Sequence, residues 1–421
     1  MPPTDSLTVG QFGAVPLRAH RVSLTRRLLM HLGRAVEYGQ LLIKLPSGEA
    51  LQWSGPHPGP IACMTVHRWR AVRRLLFGGD IGFAEAYMNG DWSTPDLTAL
   101  IELAARNYDV MSPSLDGSRL ARLIYRLSHL LRGNTKRGSR RNIPAHYDLG
   151  NDFYEAWLDS GMTYSSGLYE NPGDSLEQAQ IAKQNLVINA LALSGGERVL
   201  EIGCGWGALA ERLAREHGCH VVGLTLSPAQ LERARDRIAA CPGASGSVEL
   251  LRRDYREIDG TFDRVVSIEM LEAVGKEYWP AYFATIRDRL RPGGIAALQV
   301  ITMAEHRYAT YERSADFIQR HIFPGGMLPS NSVVRAQIAA AGLWLDGART
   351  FGTSYARTLA DWRVRFLRAW PRLRPMGFDE RFQRKWEYYL SYCEAGFRAG
   401  SIDVGLYRLH RPREAALEAM R

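Results

Sequence analysis

The sequence has few cysteines and no long hydrophobic run, and each of these features excludes several classes of protein. None of its five cysteines forms a CxxC pair, which excludes a disulfide scaffold and a cysteine-rich zinc site and fits a reducing compartment. No apolar stretch approaches the roughly 18–20 residues that span a bilayer. Four arginines within residues 21–34 interrupt any signal-peptide core. We therefore expect a cytoplasmic protein that does not cross a membrane and holds no metal.

In the first third of the chain the acidic residues are too few to balance the charge of the basic residues. Residues 1–145 carry 19 lysines and arginines against 10 acidic residues, whereas residues 146–421 carry 34 of each sign. Hydrophobic residues make up 46% and charged residues 23%, which is ordinary for a globular protein. The basic excess predicts either an anionic partner, membrane or nucleic acid, or a solvated basic surface without a partner.

The length of 421 residues suggests two or three domains. Residues 132–142, RGNTKRGSRRN, contain no apolar side chain and are typical of a linker. We predict an N-terminal basic domain over 1–131, this basic linker, and a catalytic domain over 143–421. Within the last region short apolar runs at 198–202, 221–224, 247–251, 264–268 and 295–301 alternate with helical patterns, which predicts a mostly parallel sheet covered by helices.

A glycine-rich turn follows the first of these predicted strands. Residues 201–207 read EIGCGWG, so Gly203, Gly205 and Gly207 allow a tight turn and close approach of a ligand, and Glu201 precedes them. No phosphate-binding GxxxxGK[ST] motif is present. A nicotinamide dinucleotide requires an acid at the end of the second strand, and 223–227 (GLTLS) contain none. The pattern is the first motif of S-adenosylmethionine-dependent methyltransferases.

Further motifs make the chain resemble the cyclopropane-fatty-acyl-phospholipid synthase family, which includes mycolic acid cyclopropane synthases and fatty acid C-methyltransferases. The likeness covers about residues 64–410. Its motifs are HYDLGNDFY (146–154), MTYSSGLY (162–169), VLEIGCGWG (199–207), VVGLTLSPAQ (221–230), RDYRE (253–257), EAVG (272–275), RHIFPGGMLPS (320–330), FGTSYARTL (351–359) and EAGFRAG (394–400). The resemblance implies an α/β fold: a Rossmann-like seven-stranded methyltransferase domain with helical lid insertions, preceded by a smaller mixed α/β domain that engages lipid.

The resemblance also implies which residues hold S-adenosylmethionine. Thr225 and Gln230 are expected to contact the ribose or adenine, with Tyr255 against the adenine and Arg256 nearby. Tyr164 and Ser165 are expected to close over the methionine carboxylate. The predicted cofactor residues are Tyr164, Ser165, Glu201, Gly203, Gly205, Thr225, Leu226, Gln230, Tyr255 and Arg256.

The base of the reaction is where this chain departs from the resemblance. Ring-forming relatives hold a bicarbonate through a Glu, a Tyr, a His, a Cys and a backbone group. The matching positions are Glu272, Tyr355, Gln299, Ser166 and the backbone of Ile301. Gln and Ser thus replace His and Cys, and neither can become cationic. Glu269 stands where a Gly is common and adds a second carboxylate, which either serves as base or contacts cofactor or solvent.

We expect the methyl carbon to reach a cis double bond of a phospholipid acyl chain, forming a cyclopropane. The altered bicarbonate site allows a second outcome, a methyl-branched unsaturated chain. A nucleic-acid methyltransferase is a remote alternative, because no NPP[YF]-like stretch occurs and the basic excess lies outside the catalytic domain; a catalytically dead lipid-binding relative is disfavoured by Glu272, Tyr355 and the intact glycine turn. The expected partners are an anionic membrane at the inner face, bound peripherally, and a second copy of the chain.

Overall fold

The computed structural model describes residues 29–31, 33–110, 149–241 and 243–413. The predicted linker at 132–142 lies outside these residues, so the domain boundaries stay a prediction. None of the described helices combines the length and the apolar character needed to cross a bilayer.

A four-stranded sheet with two helices forms the N-terminal part. The strands follow the order β2-β1-β3-β4, with β1 parallel to β3. Within the first helix Gly79 leaves helical geometry (φ 58°, ψ −143°), and Asp96 caps the second by accepting a hydrogen bond from the Ala99 N–H. The elements are β1 Tyr38–Lys44, β2 Ala50–Ser54, β3 His57–Val66, α1 Arg70–Met88, β4 Trp92–Ser93 and α2 Leu97–Arg106.

A seven-stranded sheet dominates the remainder, in the order β10-β11-β9-β8-β5-β6-β7. Strands β9, β8, β5, β6 and β7 pair in parallel, and β11 pairs antiparallel with β9 and β10. The predicted α/β methyltransferase architecture is therefore confirmed. The strands are β5 Arg198–Ile202, β6 His220–Thr225, β7 Ser247–Arg252, β8 Phe262–Ile268, β9 Leu290–Met303, β10 Trp344–Thr350 and β11 Ile402–His410.

Helices surround this sheet, and one of them also packs against the N-terminal part. They are α3 Asn151–Glu155, α4 Leu176–Leu191, α5 Ala208–His217, α6 Pro228–Ala239, α7 Leu271–Val274, α8 Trp279–Arg289, α9 Glu305–Tyr311, α10 Phe317–His321, α11 Asn331–Ala340, α12 Gly352–Leu373 and α13 Glu380–Arg398. Three short 3-10 turns complete the set at Tyr255–Glu257, Lys276–Tyr278 and Arg374–Met376.

Helix α13 joins the two parts of the molecule. Tyr87 of α1 donates a hydrogen bond to Glu387 Oε2 (2.8 Å), and Thr98 of α2 donates one to Glu394 Oε2 (2.9 Å). Buried apolar residues of the small sheet, of α1 and α2 and of α12 and α13 belong to one continuous hydrophobic core. The N-terminal part is thus packed directly against the helices that cover the large sheet.

Candidate active site

The glycine turn joins β5 to α5 and is fixed to the neighbouring strand. The backbone N–H groups of Gly203 and Cys204 both donate to the Leu224 carbonyl at the end of β6. Gly203 (φ +82°) and Gly207 (φ +82°) are needed for close packing, since a Cβ would lie 2.4 Å from Met270 Sδ and 3.1 Å from Ala234 Cβ respectively. A Cβ on Gly205 (φ +53°) would meet no atom within 4 Å. Only this glycine of the three leaves open space for a ligand.

That open space belongs to a cavity of about 600 Å³ at the carboxyl ends of the parallel strands. All ten predicted cofactor residues line it, and so do the predicted catalytic residues Glu269, Glu272 and Tyr355. Ser166 and Gln299 do not line it: they are fully buried just behind its wall. The structure thus brings the predicted cofactor residues and three of the predicted catalytic residues to one cavity. Ser166 and Gln299 contact that cavity only through Glu269.

At the cofactor end of the cavity the predicted polar residues hold one another. Thr225 donates to Gln230 Oε1 (2.8 Å) and accepts from the Ser227 N–H. Arg256 forms a two-fold pair with Asp254, from Nε to Oδ1 (2.8 Å) and from Nη2 to Oδ2 (2.6 Å). These contacts fix the rims of the space that the nucleoside of S-adenosylmethionine would occupy.

Aromatic side chains close both sides of this end. The Tyr255 ring packs edge-on against Tyr282, with 5.5 Å between centroids. Tyr164 lies against Trp362 (5.4 Å) and shares a hydrogen bond between hydroxyl groups with Tyr389 (2.9 Å). Leu226 also lines the cavity. The residues therefore fit an adenosine with apolar faces.

Glu201 and a residue that sequence reasoning missed, Lys183, meet beside the glycine turn. Glu201 Oε2 is buried without a hydrogen-bond partner among the described residues. Burial raises the pKa of Glu201 to about 7, and the charge of Lys183 opposes that rise. Lys183 lies on α4 and donates from Nζ to Ser165 Oγ (2.8 Å). A lone lysine within a helical pattern carries no local signal of burial, so only the fold identifies it.

The base end of the cavity is organised around the Glu269 carboxylate. Its Oε1 accepts from the Ser166 N–H (2.9 Å) and from Gln299 Nε2 (2.7 Å), and its Oε2 accepts from the Tyr355 hydroxyl (2.6 Å). Burial raises the pKa of Glu269, while these three donors oppose the rise. Hydrogen bonds from these three donors favour the charged form of Glu269, against the effect of burial.

Glu272 has a different environment three residues further on. Its Oε1 accepts from the Ile301 N–H, and its Oε2 has no partner among the described residues. Burial raises the pKa of Glu272 to about 8, and the charge of Glu269 adds to the rise. At neutral pH Glu272 is therefore mostly protonated in the free protein, whereas Glu269 has three donors that oppose the rise in its pKa.

Backbone geometry explains why a glycine suits position 269. Glu269 has φ +51°, a left-handed conformation that glycine adopts freely and other residues adopt at a cost. A glutamate held there in strain, with its carboxylate accepting from three donors, is the kind of outlier that accompanies function.

The residues present do not fit a bound bicarbonate. The Tyr355 hydroxyl, the Gln299 amide and the Ser166 N–H already donate to Glu269, and the Ile301 N–H donates to Glu272. The Ser166 hydroxyl points to the Gly167 carbonyl (2.8 Å). Carboxylates of the chain itself thus engage the groups that the resemblance assigned to the anion.

The cavity continues into the N-terminal part of the molecule, which the sequence did not predict. Its far wall is apolar and is built from Leu41 and Ile43 of β1, Met64 of β3, Phe83 of α1 and Leu100 of α2. Phe77 lies on the same wall and is 63% exposed, so it marks an opening to solvent two residues before the break at Gly79.

A glycine turn at the end of the first parallel strand, a following strand without an acid and a sheet of this order define an S-adenosylmethionine-dependent methyltransferase. Residues 134–406 match the family model described as mycolic acid cyclopropane synthetase, and the chain belongs to that family. The chain is 39% identical over 406 residues to a tuberculostearic acid methyltransferase of Mycobacterium tuberculosis, covering 94% of this chain and 93% of the relative.

A second curated relative and a solved structure resemble the chain at similar identity. A cyclopropane-fatty-acyl-phospholipid synthase of Escherichia coli is 35% identical, over 83% of this chain and 88% of its own. A crystal structure of the mycolic acid cyclopropane synthase CmaA1, in complex with SAH and CTAB, aligns with a TM-score of 0.61 and 32% identity, over 64% of this chain and 98% of that one. The described site and these likenesses agree on S-adenosylmethionine as the cofactor and on modification of fatty acyl chains.

Proposed function

We propose that this protein transfers the methyl carbon of S-adenosylmethionine to a cis double bond in an acyl chain of a phospholipid. The observation that supports this is a single cavity that joins the glycine turn, two buried carboxyl groups and an apolar wall of the N-terminal part. Such a wall suits a hydrocarbon chain and offers little to a nucleobase. Relatives named for cyclopropane and fatty acid modification support the same substrate class.

The protein has two tasks in this reaction, to keep water out and to remove a proton. When bound, S-adenosylmethionine supplies an electrophilic methyl group. An alkene is a weak nucleophile, so the buried walls must hold the double bond close and dry. Bond formation at one alkene carbon leaves a cation on the other. The ring of Tyr355, tilted by 31° against Phe397 with 4.6 Å between centroids, lines the base end of the cavity and can face that cation.

Glu269 is the proposed base. Its Oε2 accepts from Tyr355 alone, which leaves a lone pair for the proton that leaves the substrate cation. If the proton comes from the new methyl group, the electron pair of its C–H bond closes a cyclopropane. If it comes from a neighbouring chain carbon, the pair forms a double bond beside the branch.

We favour the methyl-branched unsaturated product over the cyclopropane of the family default. The resemblance associates ring closure with bicarbonate, and here the groups expected to bind bicarbonate hold the Glu269 carboxylate instead.

The test is incubation of the protein with labelled cofactor and vesicles of a monounsaturated phospholipid, followed by mass spectrometry before and after mild hydrogenation. The expected lipid gains one carbon and then takes up hydrogen. A product that gains the carbon but resists hydrogenation is the cyclopropane and contradicts the branched assignment. Label that enters nucleic acid rather than lipid contradicts the whole proposal.

An anionic membrane surface is the proposed partner, bound peripherally, with the protein acting as a homodimer. Phe77, exposed beside the opening of the cavity, and the exposed Arg73 one turn before it support contact with lipid at this face. Neutralising Arg137, Arg140 and Arg141, which lie outside the described residues, should weaken binding to anionic vesicles by roughly 1 kcal/mol per charge, and less at high salt. Unchanged co-sedimentation at low salt would exclude a role for these arginines.

A further inference from the structure

Lys183 is a buried cation that the reaction described above does not use. It lies on α4 with 3% of its surface exposed, and it lines the cavity beside Glu201 and the glycine turn. Its Nζ donates to the neutral hydroxyl of Ser165 at 2.8 Å and forms no ion pair with a carboxylate of the described residues. An ammonium group has three donors, so two remain to be directed at a ligand.

Three acidic side chains lie near Lys183. Asp159, Glu201 and Glu269 are near enough to favour its charged form, against burial, which lowers the pKa of Lys183 to about 8. Asp159 is already engaged, since it accepts from the N–H groups of Gly161 (2.9 Å) and Thr163 (2.9 Å). Glu269 is held at the base end. Glu201 and Lys183 are thus left as an acid and a cation that flank the open space at Gly205.

The amino-acid end of S-adenosylmethionine is a zwitterion that matches this pair. Its ammonium group needs an acid, and its carboxylate needs a cation or several N–H donors. We propose that Lys183, together with the Ser165 hydroxyl that it orients, forms the binding site for the methionine carboxylate, while Glu201 faces the ammonium group. Removing one partner of a buried charged pair leaves the other charge uncompensated, so loss of Lys183 should weaken carboxylate binding more than loss of a surface lysine would.

Another role for Lys183 is to neutralise the surrounding acids and so support the fold. The two roles differ in ligand dependence. A carboxylate site discriminates between ligands that carry the carboxylate and ligands that lack it, whereas a structural cation affects all of them alike. The comparison needs no lipid substrate, so its failure is separate from any failure of the proposed reaction.

The experiment is isothermal titration of wild type and Lys183→Met with three ligands: S-adenosylhomocysteine, decarboxylated S-adenosylmethionine and 5′-methylthioadenosine. Loss of a charged hydrogen bond predicts that Lys183→Met weakens S-adenosylhomocysteine binding by roughly 10- to 100-fold. The two ligands without a carboxylate should change by less than about 3-fold. Lys385→Met, a partly buried lysine of α13 away from the cavity, is the matched control.

Equal weakening of all three ligands, or undiminished affinity for S-adenosylhomocysteine, overturns the proposal. The wild type provides an independent measurement if Lys183→Met does not fold. It should bind S-adenosylmethionine at least about 10-fold more tightly than the decarboxylated form, and equal affinities would also overturn the carboxylate site.

Discussion

The two ends of the cavity are built in different ways. At the cofactor end the main element is a seven-residue turn. The N–H groups of Gly203 and Cys204 donate to the adjacent strand, and Gly205 leaves the ligand's space open. At the base end each contact to Glu269 comes from a distant part of the chain, Tyr355 from 86 residues away and Ser166 from 103. If the proposed function is right, recognition of the cofactor rests largely on a local motif, whereas the fate of the proton depends on side chains that only the fold assembles.

The largest effect is expected at the cofactor end. Gly205→Val should abolish measurable binding of S-adenosylmethionine, because its side chain would fill the space that the described residues leave open and would add strain at φ +53°. Titration calorimetry measures the loss. Gly342→Val is the matched control, since Gly342 also has positive φ (+73°) and open surroundings but does not line the cavity. Near-normal affinity of the Gly205 variant would contradict the placement of the cofactor.

The next effect is expected at the base end. Glu269→Gln should lower turnover by about 10²- to 10⁴-fold, the usual contribution of a general base, and should leave cofactor affinity within about 3-fold of wild type. Single-turnover measurement with labelled cofactor, beside calorimetry, separates the two quantities. Tyr355→Phe removes one donor to the same carboxylate and should be less damaging. Full turnover by Glu269→Gln would assign the base to another group.

Much of the fold, and the residues that line the cofactor end apart from Lys183, could be predicted from the sequence. Strand β5 has the predicted bounds, because a short apolar run is a local signal. Strand β10 was missed, since all seven of its residues are at least partly exposed and show no clean alternation. Lys183 and the apolar wall of β1 and β3 required the tertiary structure.

The role of Glu269 could not be predicted from the sequence. The sequence identified it as an extra carboxylate but left its role open. Its positive φ and its three donors emerge only when residues 166, 299 and 355 converge on it. Ser166 and Gln299 both donate to Glu269 Oε1, and their expected role at the base stays a prediction.

A smaller effect distinguishes the two carboxyl groups by pH. The pKa of Glu272 is about 8 in the folded protein and close to 4.5 when unfolded. A raised pKa means that the folded state keeps its proton longer, so this group lowers stability progressively from about pH 4.5 to pH 8. Glu272→Gln should therefore gain stability over wild type across that window, by at least about 1 kcal/mol at the upper end, or a few degrees in Tm.

Thermal unfolding of the protein without ligands, followed at several pH values, checks this expectation. Glu177→Gln is the comparison variant: the hydrogen bond from Arg365 holds the pKa of Glu177 below its usual range, so its loss should lower stability rather than raise it as the pH rises. A constant difference between Glu272→Gln and wild type at all pH values would contradict the assignment of a protonated Glu272.

Exchange of the base is the most direct test of the central claim that a carboxylate of the chain replaces bicarbonate. Glu269→Gly suits the backbone at φ +51° and frees the donors of Tyr355, Gln299 and Ser166. Turnover is measured for wild type and for this variant, in bicarbonate-depleted and bicarbonate-supplemented buffer. The account predicts that wild type is indifferent to bicarbonate and that Glu269→Gly is slow until bicarbonate is added. A wild type that depends strongly on bicarbonate, together with a Glu269→Gly variant that stays fully active, would contradict it.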